Sequence, residues 1–397
     1  MAKRIEALAR PELLVWARKS AGYTQEQAAK RAAVPVARLQ GWEAGTRRPT
    51  VNQLRKLANL YKRPLAVFYL PTPPKDFKPL HDYRRLPGEI AGIESPQLRL
   101  AVRYAHDRRL AALEMTRALG ERYQRLSLMA EMAEAPETLA AKLRQVLGVS
   151  IEEQLSWPDR YSALHGWREA LERLGILVFQ FEDVPPAEAR AFSISASPLP
   201  VIAVNTKDAP SGRVFSMLHE FCHLALRRGG LCDLDDDKPR PRDELQIEVT
   251  CNGVAGAILV PREHLLRQPT VSAKGRYIEW EDTDLASLAR QYKVSREVVL
   301  RRLLLCGLVT KDYYQRKRNE YLQYEETKPQ SRRGFAPPHK VALGVAGRLF
   351  TRLVLESYHQ ESISARDVAD LLNIRLQHLH RIELALAGRA VSPGAAA

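Results

Sequence analysis

The stretch Met217-Leu218-His219-Glu220-Phe221-Cys222-His223-Leu224 contains the pattern H-E-x-x-H inside an apolar run. The apolar residues around it recur with the period of a helix, which predicts a buried, amphipathic helix. Residues four apart lie one turn apart on a helix, so His219 and His223 project from one face and can both reach one metal ion. Glu220 lies beside them, where its carboxylate could take a proton from a water attacking a peptide carbonyl. The pattern indicates zinc peptidase chemistry, although two structural histidines would show the same spacing.

Short apolar runs upstream of this helix predict strands at 175–181, 191–195 and 200–205, after a helix around 161–174. Ser211-Gly212 then separates the last strand from the H-E-x-x-H helix. A small sheet beside such a helix is the usual layout of a zinc peptidase, in which an edge strand can bind an extended substrate.

A catalytic zinc ion usually has three protein ligands and one open position, so a third ligand is required. The next predicted helix carries Glu248, with Asn252 and Ala255 on the same face. Cys232 and Cys251 are an alternative, since thiolates could complete a closed structural zinc site, but small buried core cysteines are the simpler interpretation. The acidic run Asp233, Asp235, Asp236 and Asp237 fits a solvated loop, a surface that steers a basic target, or a weak Ca²⁺ site.

This part of the chain resembles the ImmA/IrrE family of zinc-dependent peptidases. The resemblance is carried by Val204-Asn205, by the helix from His219 to Leu226, and by Glu248-x-x-Cys251-Asn252-x-x-Ala255-x-x-Ile258-Leu259-x-Pro261. These three blocks lie within about 60 residues and are specific in combination. The resemblance implies that His219, His223 and Glu248 are the zinc ligands and that Glu220 is the general base.

The first 70 residues predict a run of short helices. Thr24-Gln25-Glu26-Gln27 is a capping box that begins one helix, and a turn at Ala33-Val34 leads into another helix from Pro35. Two short helices joined by a tight turn describe a helix-turn-helix, whose second helix would enter the major groove of DNA.

Residues Gly22–Ala29 and Trp42–Thr50 make this segment resemble the XRE family of phage-repressor-type DNA-binding domains. In that family the glutamine that matches Gln25 anchors a phosphate, and the start of the third helix reads bases. The matching base readers here are Val36, Ala37 and Gly41, none of which has a side chain that donates a hydrogen bond. Val36 and Ala37 could contact thymine methyl groups, and Arg38 or Gln40 could reach a base or a phosphate. Arg47 and Arg48 complete the predicted DNA contacts, and a helix-turn-helix kept only for protein contacts is the alternative.

The net charge of the 397 residues is +15, and residues 1–80 hold 16 Lys and Arg against 5 Asp and Glu. Roughly +11 therefore lies in the first fifth of the chain, which favours a polyanion partner near the N-terminus, although a solubilising basic surface would look the same. The four cysteines show no C-x-x-C spacing and do not indicate a disulfide framework. The sequence has no run of about 18 apolar residues and no signal-peptide pattern at its start. We therefore expect a cytoplasmic protein that does not contact a membrane.

The rest of the chain predicts further helices. Residues 284–299 again read as helix, turn and helix, which fits another DNA or partner contact or plain packing. Residues 311–338 are polar, basic and rich in tyrosine, and they read as a linker or extended arm. One helix is expected over Val345, Leu349, Leu353 and Val354, followed by a second helix-turn-helix-like unit that Ser364 caps, and the tail from Val391 reads as disordered.

The predicted fold is mainly α with a small β-sheet (α+β). Its expected parts are a helix-turn-helix domain (1–75), a helical connector (76–156), a zincin-like ImmA/IrrE-type peptidase domain (157–310), a basic linker (311–340) and a C-terminal helical domain (341–397). The family resemblance implies a regulator that cleaves a partner repressor or antitoxin and so controls genes of stress response or of mobile elements. The rival hypothesis is a transcription factor whose metal domain senses a ligand or mediates assembly without proteolysis. Zn²⁺, double-stranded DNA, a protein substrate and a second copy of the chain are the expected cofactor and partners.

Overall fold

The computed structural model describes residues 5–74, 81–82, 95–122, 130–226, 230–232, 242–274, 279–327 and 337–387. The chain divides into two compact units, the first comprising Met1–Pro79 and Gly88–His106 and the second comprising Leu80–Pro87 and Asp107–Ala397. The predicted α+β class is confirmed, since helices predominate around one small sheet. No helix in the described ranges is both long and apolar enough to cross a membrane.

The first unit is a bundle of short helices. They are α1 (Pro11–Ser20), α2 (Gln25–Ala32), α3 (Val36–Glu43), α4 (Val51–Tyr61), a 3-10 turn at Leu65–Tyr69, and the first half of α5 (Pro96–Ala118). The predicted capping box is present, because Thr24 Oγ1 accepts from the Gln27 backbone and the Gln27 side chain accepts from the Thr24 backbone. Ala33 adopts a left-handed conformation with φ of 55°, which ends α2 and turns the chain into α3. The sequence predicts Pro35 in the first turn of this helix, whereas the structure places it one position earlier, as the N-cap of α3.

The second unit contains the sheet and the remaining helices. The helices are α6 (Pro136–Leu147), α7 (Ile151–Ser156), α8 (Arg160–Arg173), α9 (Pro210–Ala225), α10 (Arg242–Leu259), α11 (Arg262–Leu266), α12 (Pro269–Ser272), α13 (Asp282–Tyr292), α14 (Arg296–Leu305), α15 (Lys311–Thr327), α16 (Pro338–Ala346), α17 (Arg348–His359), α18 (Ala365–Leu372), a 3-10 turn at Leu376–His378, and α19 (Leu379–Ala387).

The sheet has the strand order β1-β5-β3-β4-β2. Its strands are β1 (His81–Asp82), β2 (Leu177–Phe181), β3 (Ala191–Ile194), β4 (Val201–Asn205) and β5 (Gly230–Cys232). β2 and β4 are parallel, whereas β3 pairs antiparallel with both β4 and β5. The three predicted strands correspond to β2, β3 and β4, and every residue of β4 is buried, as expected of a central strand.

Helix α9 lies between the sheet and α10, so most of its surface is covered. It packs on β3 and β4 and against α8 and α10. Every residue from Val214 to Ala225 is buried, which explains why the sequence is apolar on nearly all sides of this helix. Pro210 occupies its first turn, so Ser211-Gly212 lies inside the helix and does not precede it as predicted.

The linker or extended arm predicted for residues 311–338 is wrong over its first half. Residues Lys311–Thr327 form helix α15, and Tyr313 and Tyr314 are buried in the core of the second unit. The Tyr313 hydroxyl donates to the carbonyl of Trp280. Polar composition hid this helix, because its inner face uses tyrosines, which bury a ring while their hydroxyl finds a partner. Residues 328–336 lie outside the described ranges.

The single helix predicted around Val345–Val354 is two helices, α16 and α17. The chain breaks at Gly347, whose φ of 83° and ψ of 158° lie in a region that essentially only glycine adopts. The expected cap of α18 by Ser364 is present as a capping box with Asp367. The tail from Val391 lies outside the described residues.

Candidate metal centre and nucleic-acid interface

Helices α9 and α10 bring three potential metal ligands together. Nε2 of His219 and Nε2 of His223 lie 3.1 Å apart. Oε2 of Glu248 is 3.4 Å from Nε2 of His219, and its Oε1 is 3.2 Å from Nε2 of His223. Within the described ranges these residues are the one group of histidine, cysteine and carboxylate side chains that could hold a metal ion.

The triangle of donor atoms fits a tetrahedral ion. Two ligands bound at about 2.0–2.1 Å with tetrahedral angles lie about 3.3 Å apart. The three observed separations of 3.1, 3.2 and 3.4 Å scatter around that value. Two histidines and one glutamate are also a donor set of catalytic rather than structural zinc sites, since they leave a fourth position for water or substrate.

The side chains of the site are buried, and burial together with their mutual contacts shifts the pKa of Glu248. His219, His223 and Glu248 are 0 % exposed and Glu220 is 1 % exposed. Burial alone raises the pKa of Glu248, but its hydrogen bonds to His219 and His223 and their charge outweigh that effect, so its pKa lies below its ordinary value. The buried carboxylate is therefore held in its ionised form, which is the form that binds a metal ion.

Cys251, one of the two alternative ligands, is not brought to this cluster. Cys251 is buried in the core of the second unit and is not one of the grouped donor atoms. The side chain of Cys232 and the acidic run Asp233, Asp235, Asp236 and Asp237 lie outside the described residues.

The predicted DNA-contacting residues lie on α2, on α3 and in the loop after α3. Ala37, Arg38, Gln40, Arg47 and Arg48 are exposed, and Gln25 and Val36 are partly exposed. The start of α3 is therefore accessible, as the helix-turn-helix hypothesis requires.

A buried carboxylate that the sequence reasoning missed organises this face. Glu43 accepts hydrogen bonds from Nε and Nη2 of Arg18 at 2.7 and 2.9 Å and from Nε2 of Gln25 at 2.8 Å. Nε2 of Gln40 in turn donates to Oε1 of Gln25 at 3.3 Å. The Gln25 amide is thus oriented by protein partners. No local signal marked this network, because Arg18 and Glu43 lie on helices that carry other polar residues.

The helix-turn-helix at α13 and α14 is internal packing. No residue in the first turn of α14 is exposed, whereas the start of α3 is. Helix α15 packs on it, with Arg318 Nε donating to Glu297 Oε1 at 3.2 Å and Arg296 stacked on Tyr321. Of the two interpretations of residues 284–299, the structure favours packing over a DNA contact.

Comparison with known protein families agrees with this geometry. The helix-turn-helix family profile matches residues 14–68, and the profile of the IrrE N-terminal-like domain matches residues 171–304. The first match spans all seven predicted DNA contacts, and the second spans His219, Glu220, His223 and Glu248. No curated protein matches the chain. The chain therefore joins an XRE-type helix-turn-helix DNA-binding domain to a peptidase-like domain of the IrrE/ImmA type.

Proposed function

We propose that this protein is a DNA-binding regulator with zinc-dependent endopeptidase activity. The observation that carries the proposal is the triangle of His219, His223 and Glu248 donor atoms, whose separations of 3.1–3.4 Å suit a tetrahedral ion. Glu220 follows His219 directly in the same helix, which supports its assignment as the general base.

The residues have distinct roles in this mechanism. His219, His223 and Glu248 hold the ion, and bound zinc would supply Lewis-acid polarisation of the scissile carbonyl and of the attacking water. Glu220 accepts the proton of that water and delivers it to the leaving nitrogen. The apolar packing of α9 between the sheet and α10 excludes bulk water, which strengthens each of these electrostatic interactions.

The proposed substrate is a partner repressor or antitoxin, whose cleavage would control stress-response or mobile-element genes. The IrrE/ImmA resemblance supports this choice, and the N-terminal helix-turn-helix supports action on DNA. Gln25, Val36, Ala37, Arg38, Gln40, Arg47 and Arg48 form the proposed DNA interface. Its basic, exposed side chains favour phosphate contacts, and a protein that works on DNA in this way would act in the cytoplasm.

The test is the substitution Glu220→Gln, which keeps the shape of the side chain but removes its basicity. Purified wild-type and variant proteins would be loaded with zinc, their metal content measured, and each incubated with a host-cell proteome whose new N-termini are then mapped. We expect one zinc ion in both proteins and at least a 100-fold loss of new N-termini in the variant, since general-base catalysis contributes about 10²–10⁴ in rate.

Glu263→Gln is the matched control, because Glu263 is a strongly exposed glutamate on α11. It should cleave as the wild type does. Full cleavage by Glu220→Gln would refute the assigned base, and zinc that persists in both His219→Ala and Glu248→Ala would refute the assigned ligands.

One observation favours a second function, a transcription factor whose metal domain senses or assembles without proteolysis. The candidate ligands are 0 % exposed and Glu220 is 1 % exposed, whereas catalysis needs a position that substrate can reach. In that case zinc would bind to the wild-type protein and change its affinity for DNA. The same protein would produce no new N-termini in the proteome experiment.

A further inference from the structure

The C-terminal helices repeat the helix-turn-helix of the first unit in detail. Helices α2 and α18 each have eight residues and each begin with a capping box. Each ends at a left-handed residue, Ala33 with φ of 55° or Asn373 with φ of 53°. The following residue then donates its backbone N–H to the carbonyl five positions back, from Val34 to Ala29 at 3.0 Å and from Ile374 to Ala369 at 3.0 Å.

Three buried positions of the two segments coincide, whereas Ala29 and Leu39 are buried and their counterparts Ala369 and Leu379 are only partly buried. Ala28, Ala32 and Trp42 are buried in the first segment, and Val368, Leu372 and Ile382 are buried at the same spacing in the second. The 3-10 turn Leu376–His378 and helix α19 therefore stand where α3 stands, and the same face of that helix is turned inward.

The outward face differs from that of α3 in its chemistry. Leu376, Gln377, His380 and Arg381 are exposed, and they occupy the positions of Val36, Ala37, Gln40 and Gly41. Gln377 and Arg381 thus stand where the first helix-turn-helix has Ala37 and Gly41, which cannot hydrogen-bond to a base. The contact of 3.4 Å between Nε2 of Gln377 and Nε2 of His378 is long, so the Gln377 amide can turn to a ligand.

We propose that the C-terminal helix-turn-helix is a second DNA-binding site, in which Gln377 and Arg381 read base edges in the major groove. A glutamine side chain can form two hydrogen bonds with the major-groove edge of adenine. An arginine side chain can form two with the major-groove edge of guanine. Gln377 lies in the 3-10 turn and Arg381 in the first turn of α19, and both side chains are exposed, so both are accessible to one groove. Leu376, at 46 % exposure beside them, suits contact with a thymine methyl group.

A helix-turn-helix whose second helix is exposed suits the major groove of duplex DNA. Arg366 and Arg375 border the outward face and are exposed, which provides cations for the phosphates on either side of a groove. Glu361, Asp367 and Asp370 are also exposed in this segment and Glu383 is partly exposed, so residues 361–387 carry three arginines against four carboxylates. We therefore expect the first unit, with its larger basic charge, to supply most of the affinity and the C-terminal site to add sequence preference.

The contrast with α13 and α14 supports the assignment. That pair has the same turn, with Lys293 at φ of 60° and Val294 donating to Ala289 at 2.9 Å. Its second helix is covered by α15, whereas α19 presents Arg381 and Leu384 to solvent. Within the described residues, two helix-turn-helix units therefore keep an accessible second helix, and the C-terminal one has Gln377 and Arg381 where the first has Ala37 and Gly41.

The experiment uses the full chain and a library of random-sequence DNA duplexes. Bound duplexes are selected and sequenced for the wild type, for Gln377→Ala/Arg381→Ala and for Arg47→Ala/Arg48→Ala, and affinities for the selected duplex are measured by fluorescence anisotropy. Lys340→Ala, which removes an exposed charge from α16, is the matched control. Because all the substituted residues are exposed, we expect each variant to stay folded.

We expect Gln377→Ala/Arg381→Ala to lose part of the selected motif and to bind the wild-type duplex at least fivefold more weakly, since each bidentate base contact discriminates by about five- to 150-fold. Arg47→Ala/Arg48→Ala should weaken binding to all sequences alike, and Lys340→Ala should change neither property. An unchanged motif and affinity in Gln377→Ala/Arg381→Ala would overturn the second site and point to a protein partner for this face. If the wild type selects no duplex, DNA binding by the first unit fails as well.

Discussion

Glu172 and Arg168 form a buried ion pair that ties α17 to α8. Oε1 of Glu172 lies 3.4 Å from Nε of Arg168 and accepts the backbone N–H of Arg348 at 3.1 Å. Arg168 also donates to the carbonyl of Gly344 at 2.6 Å and to that of Val178. Burial raises the pKa of Glu172 to about 6, and the charge of Arg168 opposes but does not cancel this shift.

This shift predicts a pH dependence of stability. The ordinary pKa is 4.5, so between pH 4.5 and 6 the folded protein binds more protons at Glu172 than the unfolded chain does. The stabilisation of the folded state by protonated Glu172 is fully present below pH 4.5 and is lost as the pH rises through 6. The free energy of unfolding falls by about 2 kcal/mol over this range. Glu172→Gln should lack this component, which hydrogen exchange of the α17 amides at pH 4.5 and 7 would measure. Parallel pH profiles in wild type and variant would contradict the prediction.

Residue by residue, the sequence predicted the candidate site well where spacing within one helix decides the geometry. His219, Glu220 and His223 needed only a helix of regular period. Glu248 depended on a family resemblance, because nothing local shows that a residue on the next helix packs against that face. Glu43 was missed, since its role arises from contacts with two other helices.

At the scale of the element, Gly347 marks the point where α16 ends and α17 begins. A Cβ atom there would lie 2.5 Å from Oε1 of Glu172 and 2.7 Å from the carbonyl of Val178. Gly347→Ala should therefore destabilise the second unit by about 3 kcal/mol or more, through backbone strain together with overlap. Urea unfolding would measure the loss.

Gly307→Ala is the control for backbone strain alone. Gly307 has φ of 70°, but a Cβ atom there would have no neighbour within 4 Å. We expect a loss of about 1–2 kcal/mol. Equal losses in the two variants would show that the contacts with Glu172 and Val178 contribute nothing.

Elements with a regular apolar period were predictable, whereas their arrangement was not. β2, β3 and β4 are short apolar runs, and the first helix of each accessible helix-turn-helix unit, α2 or α18, begins with a capping box. The order β1-β5-β3-β4-β2 could not be read from the chain, because pairing of β1 with β5 joins residues about 150 positions apart. Helix α15 was not predicted, because its buried side chains are tyrosines within a charged segment and show no regular apolar period.

At the scale of the whole molecule, burial of the donor atoms controls how a metal ion enters and leaves. His219, His223 and Glu248 have no exposed surface, so a chelator cannot reach an ion between them without local opening. We expect the rate of zinc loss to become independent of chelator concentration, which a colorimetric chelator in increasing excess would measure. A rate that rises in proportion to chelator would show direct access to the ion.

The same burial bears on when the protein acquires its metal. If opening is rare, exchange with the surrounding zinc pool is slow compared with the time in which the chain folds and α9 packs against α10. Each molecule would then bind zinc while it is synthesised and folds. Its metal content would depend on the zinc concentration at that time and not on later changes.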